Sequence, residues 1–260
     1  VGVLTLTMVY APNAIRLAYP DEAQRQSRVD ILKTPAGIML GGPMFGGNET
    51  DLGVMMANEL MLTLIVATSI LAILTVIRHT RADEESGAAE LVLSSVVGRH
   101  ARTAAALVVT AAVNAGLAVT MTLAMAASGF AVLDTAAMCV GVTAVAMVFG
   151  AAAAVSAQLW RQARTASGMA MAALGAAVLV RGAGDVIDNS GSALSWLSPI
   201  AWAQQMRPFV ALRWWPLALL ILMITALIAV AGLLERRREY DDALLASSGE
   251  HPGARPVGGV

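Results

Sequence analysis

RHTRADEESGAAELVLSSVVGRHAR, residues 78–102, is the stretch on which the reading of this chain turns. It is the longest strongly charged interruption between two apolar runs, one ending at Ile77 and the next beginning near Thr103. Arg78, His79 and Arg81 stand at one end, and Arg99, His100 and Arg102 at the other. Between them the acidic cluster Asp83, Glu84, Glu85 leads into Ala88, Leu91, Val92 and Val96, which recur at helical spacing. Acidic residues suit the first turn of a helix, where the dipole end is positive. The stretch therefore predicts a hydrophilic connector between two membrane helices, carrying a short amphipathic helix over 82–97. Two readings follow. One is a solvated loop with a helical turn. The other is a docking element whose apolar ridge, Leu91, Val92 and Val96, is gripped by a cytosolic partner.

Composition points the same way. Hydrophobic residues make up 57% of the chain and charged residues 13%, too little polar surface for a soluble domain of this length. The net charge of −1 gives no support to a nucleic-acid partner. Lys33 is the only lysine, and the only cysteine, Cys139, falls in an apolar run, so no disulfide framework forms within one chain. The three histidines, His79, His100 and His251, are not spaced as metal ligands, and no metal site is expected. The first residue, Val1, already lies inside an apolar segment, as in a fragment or a trimmed chain.

Outward from the connector, hydropathy predicts an all-α membrane protein with six spans. The first, about 1–12, is too short for the roughly 20 residues a bilayer requires and reads as truncated. The others are expected at about 52–77, 103–127, 135–159, 165–181 and 216–234. Segments 13–51 and 182–214 join them on the far side; the first holds a polar surface helix over 21–32, and the second short pieces broken by Pro199 and Pro208. Trp196, Trp202, Trp214 and Trp215 sit where interfacial anchors belong. Gly116, Gly141, Gly150, Gly168 and Gly175 suit close helix packing in lipid. Arg236, Arg237 and Arg238 stop the last span, and 239–260 reads as a solvated linker. Short basic connectors place residues 78–102, Arg161/Arg164 and the 236–238 stop in the cytosol.

Chemistry is sparse. No G-x-x-x-x-G-K-[ST] cradle exists, so the chain does not split ATP alone. Gly182-Ala183-Gly184-Asp185 matches the G-x-G-D pattern of intramembrane aspartyl proteases, which need a second carboxyl group nearby. Asp134 and Asp241 are poorly placed for that, and a helix end and turn is the simpler reading. Asn58, Glu59, Asn114, Gln158 and Arg181 are polar groups at membrane depth, which usually face the bundle interior or water. Asn58, Glu59, Asn114 and Arg181 are candidates for a translocation path. Glu59 lies roughly 28 Å along the helix from Arg78, near the opposite membrane face, where it is expected to pair with Arg181 or line an exit with it, or to snorkel.

RHTRADEESGAAEL (78–91), VVGRHA (96–101), LSWLSPIAWAQQMRPF (194–209) and ERRREYDDALL (235–245) resemble the membrane subunits of ABC-2 type exporters. Within them the chain is similar to the actinobacterial permeases called exporters of polyketide antibiotics, over about 52–245. The resemblance implies a helix that couples the permease to an ATPase subunit, with its acidic-Gly-x-x-Glu-Leu core on Glu84, Glu85, Gly87, Glu90 and Leu91. It implies that 194–209 forms extracellular re-entrant helices. It also implies that this chain is one six-span half, expected to be the N-terminal one, pairing with a continuation of the polypeptide or a second copy. ATP and Mg would sit on the ATPase partner, none on this chain, and the cargo would be a hydrophobic drug- or antibiotic-like molecule leaving through the bacterial cell membrane. A protease using Asp185, or a membrane scaffold without a transport cycle, are the alternatives.

Overall fold

The computed structural model describes residues 2–46, 49–82, 100–160, 162–188 and 191–249. In chain order they form α1 (Gly2–Ala18), α2 (Glu22–Leu32), α3 (Pro35–Gly41), α4 (Leu52–Ile77), α5 (His100–Ala127), α6 (Val132–Leu159), α7 (Ala163–Ile187), a 3₁₀ turn (Ser195–Leu197), α8 (Pro199–Gln204) and α9 (Trp215–Gly249). A single π-helical turn, Arg78–Ala82, extends α4. Among the described residues, five helices are long and apolar enough to cross a membrane: α4, α5, α6, α7 and the first part of α9. The chain is a multi-pass membrane protein.

Local chemistry sets several helix starts. Asp51 accepts hydrogen bonds from the Gly53 and Val54 amides and so caps α4. Thr34 accepts from the Gly37 amide, with Pro35 at the first helical position of α3. Ser198 and Pro199 repeat the arrangement at α8.

Helix α6 is the axis of the bundle. It packs against α4, α5, α7, α8 and α9, and 72% of its most apolar window is buried, against 56% for α4 and 11% for α9. Its buried face is rich in small residues, including Ala137, Gly141, Ala146, Gly150, Ala153 and Ala157, set among Met138, Val142, Val145 and Phe149. Lipid tails are as apolar as leucine, so helices associate in a bilayer through close van der Waals packing, which small residues permit. A Cβ at Gly141 would lie 3.3 Å from Met206 Sδ, and one at Gly150 would lie 3.5 Å from Ala72 Cβ. Gly116, Gly168 and Gly175, expected in the same role, make no such contact within this chain: a Cβ there would meet nothing within 4 Å.

Other expectations need correction. The first helix continues through Pro12 to Ala18 rather than ending near residue 12. Helix α7 runs to Ile187, past the expected end at 181, so Gly182–Asp185 is helix interior and not a turn. The reason is lateral. Arg181 and Asp185 pair one helical turn apart, and α3 and the 3₁₀ turn cover the end of α7, leaving Arg181, Gly182, Gly184 and Asp185 buried. Helix α9 does not stop at Arg236–Arg238 but continues to Gly249. Residues 235–248 hold no glycine or proline and several strong helix formers, so the backbone has no reason to break before Gly249.

One end of the bundle gathers the basic flanks of the connector. The π turn packs against α5, α6 and α7, and Thr103 Oγ1 donates to Glu235 Oε1 at 3.2 Å. The beginning of α5 thus lies beside the stretch of α9 that holds Arg236 and Arg237, both exposed. The opposite end is capped by α2, α3, the 3₁₀ turn and α8. There Trp196 and Trp215 stack with centroids 5.4 Å apart.

Candidate functional site

Two candidate regions lie at opposite ends of the bundle. Glu84, Glu85, Gly87, Glu90, Leu91 and Val92 lie outside the described residues, as does most of the expected 82–97 helix. The capped end lies mostly within the described residues.

Arg181 is the anchor of that cap. Its side chain is wholly buried. Nη2 donates to the Met39 carbonyl at 2.6 Å, and Nη1 to Asp185 Oδ2 at 3.2 Å and, more weakly, to the Ile38 carbonyl at 3.4 Å. The last carbonyls of α3 are thus held by a residue more than a hundred positions along the chain. Buried charge persists in a protein when it is paired and hydrogen-bonded; here both Nη atoms are engaged, whereas Nε is buried without a hydrogen-bond partner.

The pair expected between Glu59 and Arg181 does not form. Glu59 Oε1 accepts from Arg28 Nε at 2.9 Å instead. That hydrogen bond, more than the Coulomb attraction, raises the Arg28 pKa above its usual value, against a smaller lowering from burial. Arg28 lies on α2 and Glu59 on α4, so the bond ties the polar surface helix to the bundle. Lys33 pairs with Glu49 on the same side. Both members of the Arg28–Glu59 pair are partly exposed, and such pairs contribute little. Glu59→Gln is expected to cost about 0.2–1 kcal/mol, read as a small drop in melting temperature that shrinks further in high salt.

The four expected path residues are not brought together. Asn114 lies inside α5, its Nδ2 donating to the Thr110 carbonyl at 2.9 Å and reaching Met147 Sδ on α6 at 3.6 Å. Asn58 belongs to the cap: its Nδ2 donates to the Gly42 carbonyl at 3.0 Å. Gln204, which sequence reasoning passed over, does the same to the Gly41 carbonyl at 3.0 Å. A carbonyl only accepts, so each amide nitrogen must face the backbone, and each amide oxygen is left over. Asn58 Oδ1 and Gln204 Oε1 are buried and have no hydrogen-bond partner.

The Gly41-Gly42 pair makes these contacts possible. A Cβ at Gly41 would fall 2.4 Å from Asn58 Oδ1. Gly42 has φ +100° and ψ 179°, a conformation close to glycine-only, and a Cβ there would fall 2.3 Å from Gln204 Nε2. Gly42→Ala is expected to cost about 2 kcal/mol or more from backbone strain and the clash together, seen as a lowered unfolding midpoint of the purified protein.

Beside this doublet lies a cavity of about 30 Å³, lined by Asn58 and Gln204 and by apolar groups such as Met44, Phe45, Val54 and Met61. The guanidinium of Arg207, which also lines it, sits 4.4 Å from the centroid of the Phe45 ring. Burial, and after it the neighbouring Arg213, lowers the Arg207 pKa. Phe45, Arg207 and Phe209 have positive φ of 58°, 52° and 65°, an uncommon conformation for side chains of that bulk. Phe209 is held in place by Asp134, whose Oδ1 accepts from its amide at 2.8 Å.

That contact also bears on the protease pattern. Asp134 is engaged at Phe209, Asp185 is held by Arg181, and Asp241 lies on α9 beyond the basic stop. Among the described residues, Asp185 is bonded to a guanidinium and not to a second carboxyl group.

The family model described as "Multidrug efflux system permease Rv1217c, C-terminal domain" matches residues 25–237. The chain belongs to this family. A relative, the "Multidrug efflux system permease protein Rv1217c" of Mycobacterium tuberculosis, is 38% identical over 254 residues, which are 97% of this chain and 44% of the relative. The chain therefore spans less than half the length of the relative it matches. The matched model is that of a C-terminal domain, so the expectation that this chain is the N-terminal half of such a permease finds no support. The match takes in α4–α8, the cap from residue 25 onward and the connector, and overlaps most of the 52–245 stretch that resembles ABC-2 type exporters.

Proposed function

We propose that this chain is the membrane-spanning permease part of an ATP-driven ABC-2 type exporter that carries hydrophobic, antibiotic-like molecules out of a bacterial cell and so contributes to drug resistance. Membership in a family of multidrug efflux permeases is the observation that carries this reading. This chain carries no phosphate-binding lysine loop, and in this reading the energy enters from another subunit. An ATPase dimer holding ATP and Mg supplies it, and docks on the 82–97 helix through Glu84, Glu85, Gly87, Glu90, Leu91 and Val92. Support for that side of the molecule comes from charge. Arg78, Arg164, Arg236 and Arg237 are exposed at the ends of the spans that adjoin the connector, as the positive-inside tendency expects of a cytosolic face. The tail beyond Arg238 then lies in the cytosol. A second six-helix half, as a continuation of the polypeptide or a second copy, completes the path. Asn58, Asn114, Glu59 and Arg181 are retained as path residues, with Arg181 in a positioning role because its charge is held inside the cap.

The sole cysteine, Cys139, is buried within α6, which makes a clean test available. Ser95→Cys is expected to react with a membrane-impermeant maleimide only after cells are opened, and to cross-link to a co-purifying ATPase chain. Labelling of intact cells would refute the cytosolic assignment. Normal drug efflux with no ATPase in the purified complex would refute the energy source, and absence of efflux altogether would favour the scaffold reading.

A further inference from the structure

Two arginines share one strained loop at the capped end. The Arg213 amide donates to the Met206 carbonyl at 2.8 Å, and the Val210 and Ala211 amides donate to the Arg207 carbonyl at 3.3 and 3.2 Å. Residues 206–213 are thereby closed on themselves, with the backbone of Arg213 beside that of Arg207. The positive φ of Arg207 and Phe209 marks the strain of that closure. The Arg207 guanidinium is held in a set orientation. Its Nε and Nη2 donate to Gln205 Oε1 at 3.2 and 3.1 Å, and it lies over the Phe45 ring. Nη1 has no partner among the described residues.

Like charges placed together disfavour one another. Burial lowers the Arg207 pKa first and the charge of Arg213 next, and no carboxylate raises it. Arg213 is exposed and, among the described residues, forms no ion pair. Carboxylates at this end are held elsewhere: Asp134 by the Phe209 amide, Asp51 by the start of α4, and Glu49 by Lys33.

We propose that Arg207 and Arg213 together bind the headgroup phosphate of an anionic phospholipid, at the lipid-facing start of α9. Position selects the ligand. Trp214 and Trp215 follow Arg213 directly and are 44% and 53% exposed, as interfacial anchors are. The span begins at Trp215 and is mostly unburied by protein. Arg213, two residues earlier, therefore lies within about 7 Å of the hydrocarbon edge, where the phosphates are. Charge selects the headgroup. A choline headgroup brings its own cation, whereas a glycerol headgroup leaves its phosphate free to neutralise two guanidinium groups.

The site goes beyond the export reading and needs neither ATP nor a protein partner. Its test uses the purified full chain in phosphatidylcholine nanodiscs without nucleotide. The probe is phosphatidylglycerol carrying a diazirine at the top of one acyl chain, followed by photolysis and peptide mass spectrometry. Labelling of 207–217 is expected to saturate, to yield to unlabelled phosphatidylglycerol and to resist inorganic phosphate. The same probe with a choline headgroup should label at least about fivefold less. One arginine near a membrane surface is worth about fivefold in binding, so Arg213→Gln should weaken the lipid about fivefold and Arg213→Glu about 25-fold. Arg213→Lys should retain it. Arg213→Glu also gives Arg207 a counter-charge and should melt no lower than the parent, which separates lost binding from lost folding. Labelling near Arg236 and Arg237, at the opposite end, should stay the same in every variant. Equal labelling by the two probes, displacement by inorganic phosphate, or parent-like labelling of Arg213→Glu overturns the proposal. Because no transport is measured, a failure here leaves the export reading untouched, and the reverse also holds.

Discussion

Arg181→Leu is expected to destabilise the protein by about 3–5 kcal/mol, the loss seen when one partner of a buried ion pair is removed. The side chain is completely enclosed, and the change takes donors from Met39, Ile38 and Asp185 at once. Asp185, itself 1% exposed, would keep a carboxylate with its guanidinium gone. Loss of the guanidinium also unties α3 from α7, so the Gly41–Gly42 carbonyls would drift from Asn58 and Gln204. Thermal unfolding of the detergent-solubilised protein reads the effect. The double variant Arg181→Leu/Asp185→Leu should recover part of it, because a buried pair replaced on both sides leaves no orphan charge. Equal melting of Arg181→Leu and the parent would mean that the cap is held by its apolar contacts alone.

Glu84→Lys with Glu85→Lys, and separately Leu91→Asp, are expected to uncouple the permease from its ATPase. An interface hot spot contributes about 2 kcal/mol or more, so either change should weaken ATPase binding at least about 30-fold. Drug-stimulated ATP hydrolysis should fall to the basal rate of the ATPase alone. The spans should remain folded, since these residues lie in the hydrophilic connector and not in the apolar runs. Helical circular dichroism and gel filtration monitor that condition. Complexes that assemble and pump normally after both changes would remove the docking role from this stretch.

Much of the architecture was legible because apolar runs of span length have few alternatives. A segment such as 52–77 must hide its backbone polar groups in helical bonds if it sits in lipid, and the helix Leu52–Ile77 has those limits. Partners were less legible. Arg181 needs a counter-charge, yet in the sequence the nearer carboxylate, Asp185, has the pattern of a helix end and turn. Glu59 and Arg181 share a predicted depth, which is not enough to pair them; Arg28, on the polar helix α2, holds Glu59 instead. Gln204 gave no signal at all, since a glutamine in a tryptophan-rich segment is unremarkable until a glycine carbonyl is found opposite it. The glycines divide on the same line. Gly141 and Gly150 face a neighbouring helix, whereas Gly116, Gly168 and Gly175 face open space, and their spacing along the chain does not say which.

Helix α9 offers Trp215, Ile221, Leu222, Ile228, Val230 and Leu233 outward and keeps little of itself among its neighbours. Its membrane segment, Trp215–Arg237, ends on Glu235, Arg236 and Arg237, so the apolar rod is the run 216–234, roughly 28 Å at a rise of about 1.5 Å per residue. A hydrocarbon slab is about 30 Å thick, and the two lengths nearly match. A thicker or thinner bilayer would therefore be felt first at this helix, as a change of tilt or of local bilayer thickness.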